Sequence, residues 1–76
     1  MAKAYLKVDV TPGKEREVKG ALLGVEGVRS ADLTAGEQDL IVLIEASSYE
    51  AILELIVSKL RSIEGIRRTV TNLVLE

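Results

Sequence analysis

One short phrase occurs twice in this chain, and it restricts the fold more than any other feature. Val25-Glu26-Gly27-Val28-Arg29 returns in the second half as Ile63-Glu64-Gly65-Ile66-Arg67. Each copy follows a stretch with helical periodicity and precedes a stretch that reads as a strand. Each glycine suits the sharp turn between the two, because it tolerates backbone angles closed to other residues. A strand-helix-strand unit written twice gives β-α-β-β-α-β, the split βαβ of ferredoxin-like α+β folds. Right-handed crossovers then place both helices on one face of a four-stranded antiparallel sheet in spatial order 4-1-3-2. The other face is left uncovered.

The elements follow from periodicity. Ala4, Leu6, Val8 and Val10 alternate with Tyr5, Lys7 and Asp9, which predicts strand 1 over 4–10. Thr11-Pro12-Gly13 breaks it, with Thr11 as a candidate cap and Pro12 as a first helical residue. Val18, Ala21, Leu22 and Val25 form the apolar stripe of a helix over 14–23, stopped at Gly24. Residues 28–34 carry mixed charge and little apolar content, which suits an edge strand. Ser47 and Glu50 have capping-box spacing before a helix over 48–63. Its core stripe is Ile52, Leu55, Ile56, Leu60 and Ile63. Leu53 and Val57 lie off that stripe, where they either widen the core face or meet another subunit. Strand 4 is expected over 66–75.

Strand 3, over 39–46, is unusual. Leu40-Ile41-Val42-Leu43-Ile44 does not alternate, so both faces should be buried. A chain of 76 residues covers one face with its own helices and not two. A second copy packing sheet to sheet would supply the other cover.

Composition removes several classes of function. The chain has no cysteine and no histidine, which eliminates disulfides, thiolate metal sites and the commonest general base. The serines have no histidine to activate them, so no nucleophile–base pair is visible. Carboxylates alone suit only hard cations, and no cofactor motif is present. Thr11-Pro12-Gly13-Lys14 lacks the spacing of a phosphate loop. A net charge of −2 offers no long-range attraction to nucleic acid, and Tyr5 between Lys3 and Lys7 is a weak counter-signal. The N-terminal residues contain no long apolar segment, so neither a signal peptide nor a membrane span is expected and the cytoplasm is the default location.

Two groups of residues could bind a small molecule. The first is the turn Gly36-Glu37-Gln38-Asp39. It reads either as a plain hairpin loop, with positive φ at Gly36 and Asp39 bonded to its own turn, or as a polar clamp. In the clamp, backbone amides hold a carboxylate and Asp39 holds an ammonium. The second is Thr69 and Thr71, on the same strand face as Arg67 by alternation. Their hydroxyls either reflect β-propensity or line a polar pocket beside the turn.

With these residues in view, the chain resembles a known family along nearly its whole length. Ala4-Tyr5-Leu6-Lys7-Val8, Pro12-Gly13-Lys14-Glu15, Gly27-Val28, the segment from Thr34 to Leu40 and the segment from Leu60 to Thr71 are similar to the C-terminal effector (RAM) domain of Lrp/AsnC regulators. The most specific part is Gly36 and Asp39, spaced Gly-x-x-Asp, together with Gly65 and the Thr-x-Thr of Thr69 and Thr71. The resemblance implies one ferredoxin-like domain over 1–76, dimers paired through their sheets as an α/β barrel, and assembly into higher rings. It implies an amino acid effector bound near Gly36, Glu37, Gln38 and Asp39, with Thr69 and Thr71 nearby, and no catalysis. Family transcription factors also carry a helix-turn-helix domain, which this sequence lacks. The expectation is therefore a stand-alone effector module that does not read DNA itself and can co-assemble with full-length regulators. Gln38 departs from the aromatic residue common at that position. Two other readings share the element order: an ACT-like amino-acid-binding domain centred on Gly13, and a small cofactor-independent α/β-barrel enzyme.

Overall fold

The computed structural model describes residues 1–75. Seven elements follow in order: β1 (Ala2–Val10), α1 (Glu15–Leu23), β2 (Val28–Leu33), β3 (Leu40–Ala46), α2 (Tyr49–Ser58), a 3-10 turn (Leu60–Ser62) and β4 (Ile66–Leu73). The strands form one antiparallel sheet in the order β2-β3-β1-β4, the arrangement expected from the repeat. Ala4, Leu6 and Val8 of β1 and Leu40, Val42 and Ile44 of β3 are fully buried beneath Val18, Leu22, Ile52 and Leu60. This is an aliphatic core two layers deep. The sheet face away from the helices carries Tyr5, Lys7, Ile41 and Leu43, with Tyr5 opposite Leu43 and Lys7 opposite Ile41. On that face Ile41 and Leu43 are half-buried, so the two sides of β3 differ less than those of an ordinary surface strand.

The repeated phrase does matching work in both halves. Gly27 and Gly65 have φ of +101° and +102°, which only glycine adopts without strain. Gly27 O accepts from Glu45 N–H and Gly65 O accepts from Thr11 N–H, both at 2.8 Å. The packing is crosswise. A Cβ on Gly27 would meet Leu55 of α2, and one on Gly65 would come within 2.8 Å of Val18 Cγ2 of α1. Each half's glycine therefore lies against the other half's helix. Each copy also introduces a bulge. In β2 the pairing jumps from Val28 opposite Ile44 to Ser30 opposite Leu43, which leaves Arg29 as the extra residue. In β4 it jumps from Ile66 opposite Val10 to Arg68 opposite Asp9, which leaves Arg67.

Several local expectations need correction. Thr11 does not cap α1. Thr11 O accepts from Lys14 N–H, and Pro12-Gly13, with Gly13 at φ +91°, makes a tight turn instead. The helix begins at Glu15, whose side chain accepts from Gly13 N–H. Gly24 is the C-cap of α1 as expected, but it stays right-handed and the reversal comes at Gly27. The cap of α2 is Ser48, not Ser47. Its hydroxyl accepts from Ala51 N–H, which removes Glu50 from capping-box register. The bulge at Arg29 places Val28 and Ala31 on the same face, where simple alternation separates them. Finally, α2 ends at Ser58 and a 3-10 turn carries Leu60 into the core. Leu53 and Val57 are exposed and do not widen the core face.

Candidate functional site

The loop between β2 and β3 is closed at its base. Thr34 N–H donates to Asp39 O at 2.9 Å, and the Thr34 hydroxyl donates to Gln38 O at 2.7 Å. Asp39 then fastens the loop to β1. Its N–H donates to Val8 O at 3.0 Å, and its Oδ2 accepts from Val10 N–H at 2.9 Å. The carboxylate therefore bonds across the sheet, not back into its own turn as expected from the sequence. Replacing a ladder carbonyl, it satisfies the amide of a residue that is almost fully buried. Among the described residues no hydrogen-bond partner is found for the N–H groups of Gly36, Glu37 or Gln38. With Ala35, whose N–H likewise has none, four successive backbone donors have no partner within the chain on an exposed, anchored loop.

Gly36 itself does not meet the expectation of positive φ: among the described residues only Gly13, Gly27 and Gly65 have it. A Cβ built on Gly36 would touch nothing within 4 Å. Neither conformation nor packing inside this chain calls for glycine there, in contrast to Gly27 and Gly65.

The loop stands beside charged groups of both signs. Asp9, Glu37, Asp39, Arg67 and Arg68 surround one shallow hollow with Pro12 at its edge. Thr69 and Thr71 line a different hollow. They lie opposite Val8 and Leu6 and so face the helix side, next to Leu53 and Val57. Within one chain the structure does not bring them beside the turn. Arg67 and Arg68, which line both hollows, are the link between the two. Among the described residues no cluster of three carboxylates could hold a metal ion, and no helix is long and apolar enough to cross a membrane.

Comparison with known proteins agrees with this architecture. Residues 3–76 match the Lrp/AsnC ligand binding domain. An uncharacterised helix-turn-helix transcriptional regulator of Pyrococcus horikoshii is 40% identical over 57 residues, which covers 75% of this chain and 38% of that protein. The chain thus matches well under half the length of that curated relative. A hypothetical protein from Pyrococcus horikoshii of known structure superposes with a TM-score of 0.93 at 33% identity, covering 100% of this chain and 92% of that one. A feast or famine regulatory protein from M. tuberculosis, solved in complex with L-methionine, superposes with a TM-score of 0.84 at 22% identity, covering 100% of this chain and 51% of that one.

Proposed function

This chain belongs to the Lrp/AsnC ligand-binding domain family, and on that premise we propose that it senses a free amino acid at the loop from Gly36 to Asp39. One observation carries the reading. The loop presents four successive N–H donors without a partner in the chain, Ala35 to Gln38, around a glycine that its own fold does not require. Glycine is the residue of choice where a backbone must approach a ligand closely. An α-carboxylate would take these amides, as in other anion-binding nests. The second oxygen of Asp39, with Glu37 alongside, would take the ammonium. Asp39 is already fixed by Val10, so little ordering remains for the ligand to impose. The family fold in complex with L-methionine in the M. tuberculosis protein supports an amino acid as the class of effector.

The assembly belongs to the same proposal. Ile41 and Leu43, half-buried beside exposed Tyr5 and Val70, form the centre of a sheet face suited to a second copy. Higher rings, and mixed assemblies with full-length regulators, would let a bound amino acid act on transcription.

The test is a thermal-shift screen of the twenty amino acids on the wild type and on Gly36→Ala. Ligand at 100 times its dissociation constant should stabilise the wild type by about 2.7 kcal/mol. Gly36→Ala should fold with unchanged stability, since its Cβ meets nothing, yet lose the response. An equal response from both proteins would remove the loop from the site.

A further inference from the structure

The neck of the loop between β2 and β3 is tied by a side chain where a ladder bond is missing. Thr34 and Asp39 close the hairpin as its last pair. Facing residues at a hydrogen-bonded position of an antiparallel ladder exchange both of their N–H···O bonds. Here only one is made, from Thr34 N–H to Asp39 O at 2.9 Å. The N–H of Asp39 turns away and donates to Val8 O of β1. The second bond across the neck comes from the Thr34 hydroxyl, which donates to Gln38 O at 2.7 Å. The peptide group between Gln38 and Asp39 is therefore held at both ends, its carbonyl by Thr34 and its N–H by Val8. The hydroxyls of Ser58 and Ser62, by contrast, only bond carbonyls of their own helical turns. Thr34 is exposed, and neither the core nor the sheet depends on its hydroxyl, because Asp39 is already fixed to β1 through Val8 and Val10. What the hydroxyl constrains is the stretch it spans, Ala35 to Gln38, whose four N–H groups have no partner in the chain.

We propose that Thr34 is the positioning residue of this loop: its hydroxyl sets the direction of the free amides and so prepares them for the carboxylate of an amino acid. The inference rests on the reading of the loop as an effector site and adds the residue that shapes it. Thr34 acts through the backbone and has no contact with the ligand to make. Gly36 is what makes such control necessary. With no Cβ it has the widest choice of backbone angles in the loop, and nothing in the chain packs against it. Holding Gln38 O closes the arch from Ala35 to Gln38 at its far end and removes that freedom before the ligand arrives. Without the hydroxyl, the ligand itself must order the arch. Re-ordering about one residue of backbone at binding lowers affinity about tenfold. Valine has the shape of threonine and no donor, whereas serine keeps the donor. Because Thr34 is exposed, water replaces the lost bond in the valine variant and the fold is retained.

The wild type, Thr34→Val and Thr34→Ser together test this. Backbone amide relaxation by NMR reads the loop with no ligand present. The N–H groups of Gly36, Glu37 and Gln38 should have order parameters near about 0.85 in the wild type and in Thr34→Ser, and below about 0.6 in Thr34→Val. Those of β1 and β3 should be the same in all of them. A thermal-shift screen with each of the twenty amino acids then reads binding. The amino acid that stabilises the wild type should bind Thr34→Val about tenfold more weakly and Thr34→Ser as tightly as the wild type. The unfolding midpoints without amino acid should agree, a separation of affinity from stability that a merely structural role would not produce. A rigid loop in Thr34→Val would overturn the proposal, as would a Thr34→Ser that behaves like the valine variant. An amino acid response that survives Thr34→Val undiminished would overturn this inference alone. A wild type that responds to no amino acid would overturn the effector reading and this inference with it.

Discussion

The first and second copies of the repeated phrase share a backbone and a pair of charges and differ in what the arginine faces. Gly27 and Gly65 turn the chain alike, lie against opposite helices alike, and are followed by a bulged arginine alike. Arg29 meets Glu45 in its own sheet, whereas Arg67 has Thr11 in the corresponding place and no carboxylate. The difference teaches which features belong to folding and which do not. The glycine and the apolar residue after it are needed twice because two helices must hand over to two edge strands. The arginine's partner is not needed for that, since an exposed ion pair adds at most about 1 kcal/mol. Its presence in one half and absence in the other is therefore free to serve recognition.

The largest test of the shared part is Gly65→Ala. A left-handed residue with a Cβ costs about 1–2 kcal/mol. The 2.8 Å approach to Val18 adds overpacking of about 1–3 kcal/mol. Urea unfolding should show a loss of about 3 kcal/mol, taking both effects together. Gly27→Ala should lose about 1 kcal/mol less, because the atoms its Cβ would meet, Leu55 Cδ2 at 3.2 Å and Glu45 O at 3.3 Å, lie farther off than Val18 Cγ2 does from Gly65. Equal losses would mean that the strain lies in φ alone. Next in size is Asp39→Ala, at the junction of the halves. It strands the Val10 N–H and should lower stability by about 1–3 kcal/mol in the same assay, while Asp39→Asn, which keeps an acceptor, should recover most of it. The smallest effects concern the part that differs. Glu45→Gln should change stability by less than about 1 kcal/mol. Thr11→Glu, which gives the second half the missing carboxylate, should change stability by less than about 1 kcal/mol in the same assay. A larger loss would mean that Thr11 does more for the fold than its backbone bond to Gly65.

Much of this architecture is legible in the residues. The repeat leads to the strand order, and the aliphatic alternation of β1 leads to the core. What escapes is set by single hydrogen bonds or single inserted residues. Alternation in β2 is read wrongly because a bulge at Arg29 changes the face midway. The helix starts are displaced because Pro12-Gly13 makes a turn of its own and Ser48 outcompetes Ser47 as a cap. At the candidate site, Gly36 and Asp39 are visible as a polar turn, yet the bond from Val10 to Asp39 spans residues far apart in sequence and leaves no local trace. Strand alternation puts Thr69 and Thr71 on one face and the family resemblance puts them near the turn, but neither reveals which hollow of a single chain lies beneath them. The unpaired amides were never in the side-chain sequence at all. Arg67 had a signal, because comparing the two phrases residue by residue, together with what each one faces, singles it out.

The pairing of the first strand with the last has a mechanical consequence. Ala4 lies opposite Leu73, and Val74 N–H donates to Lys3 O, so the beginning of β1 and the end of β4 emerge side by side. Antiparallel ladder bonds run across the strands. A pull applied at the start of β1 and the end of β4 would therefore load these bonds one after another, as in a zipper, rather than all together in shear. The sheet should open under a small force from the Lys3–Val74 bond inward, and Tyr49, whose hydroxyl donates to Val74 O at 2.6 Å, is the latch at the end where opening starts.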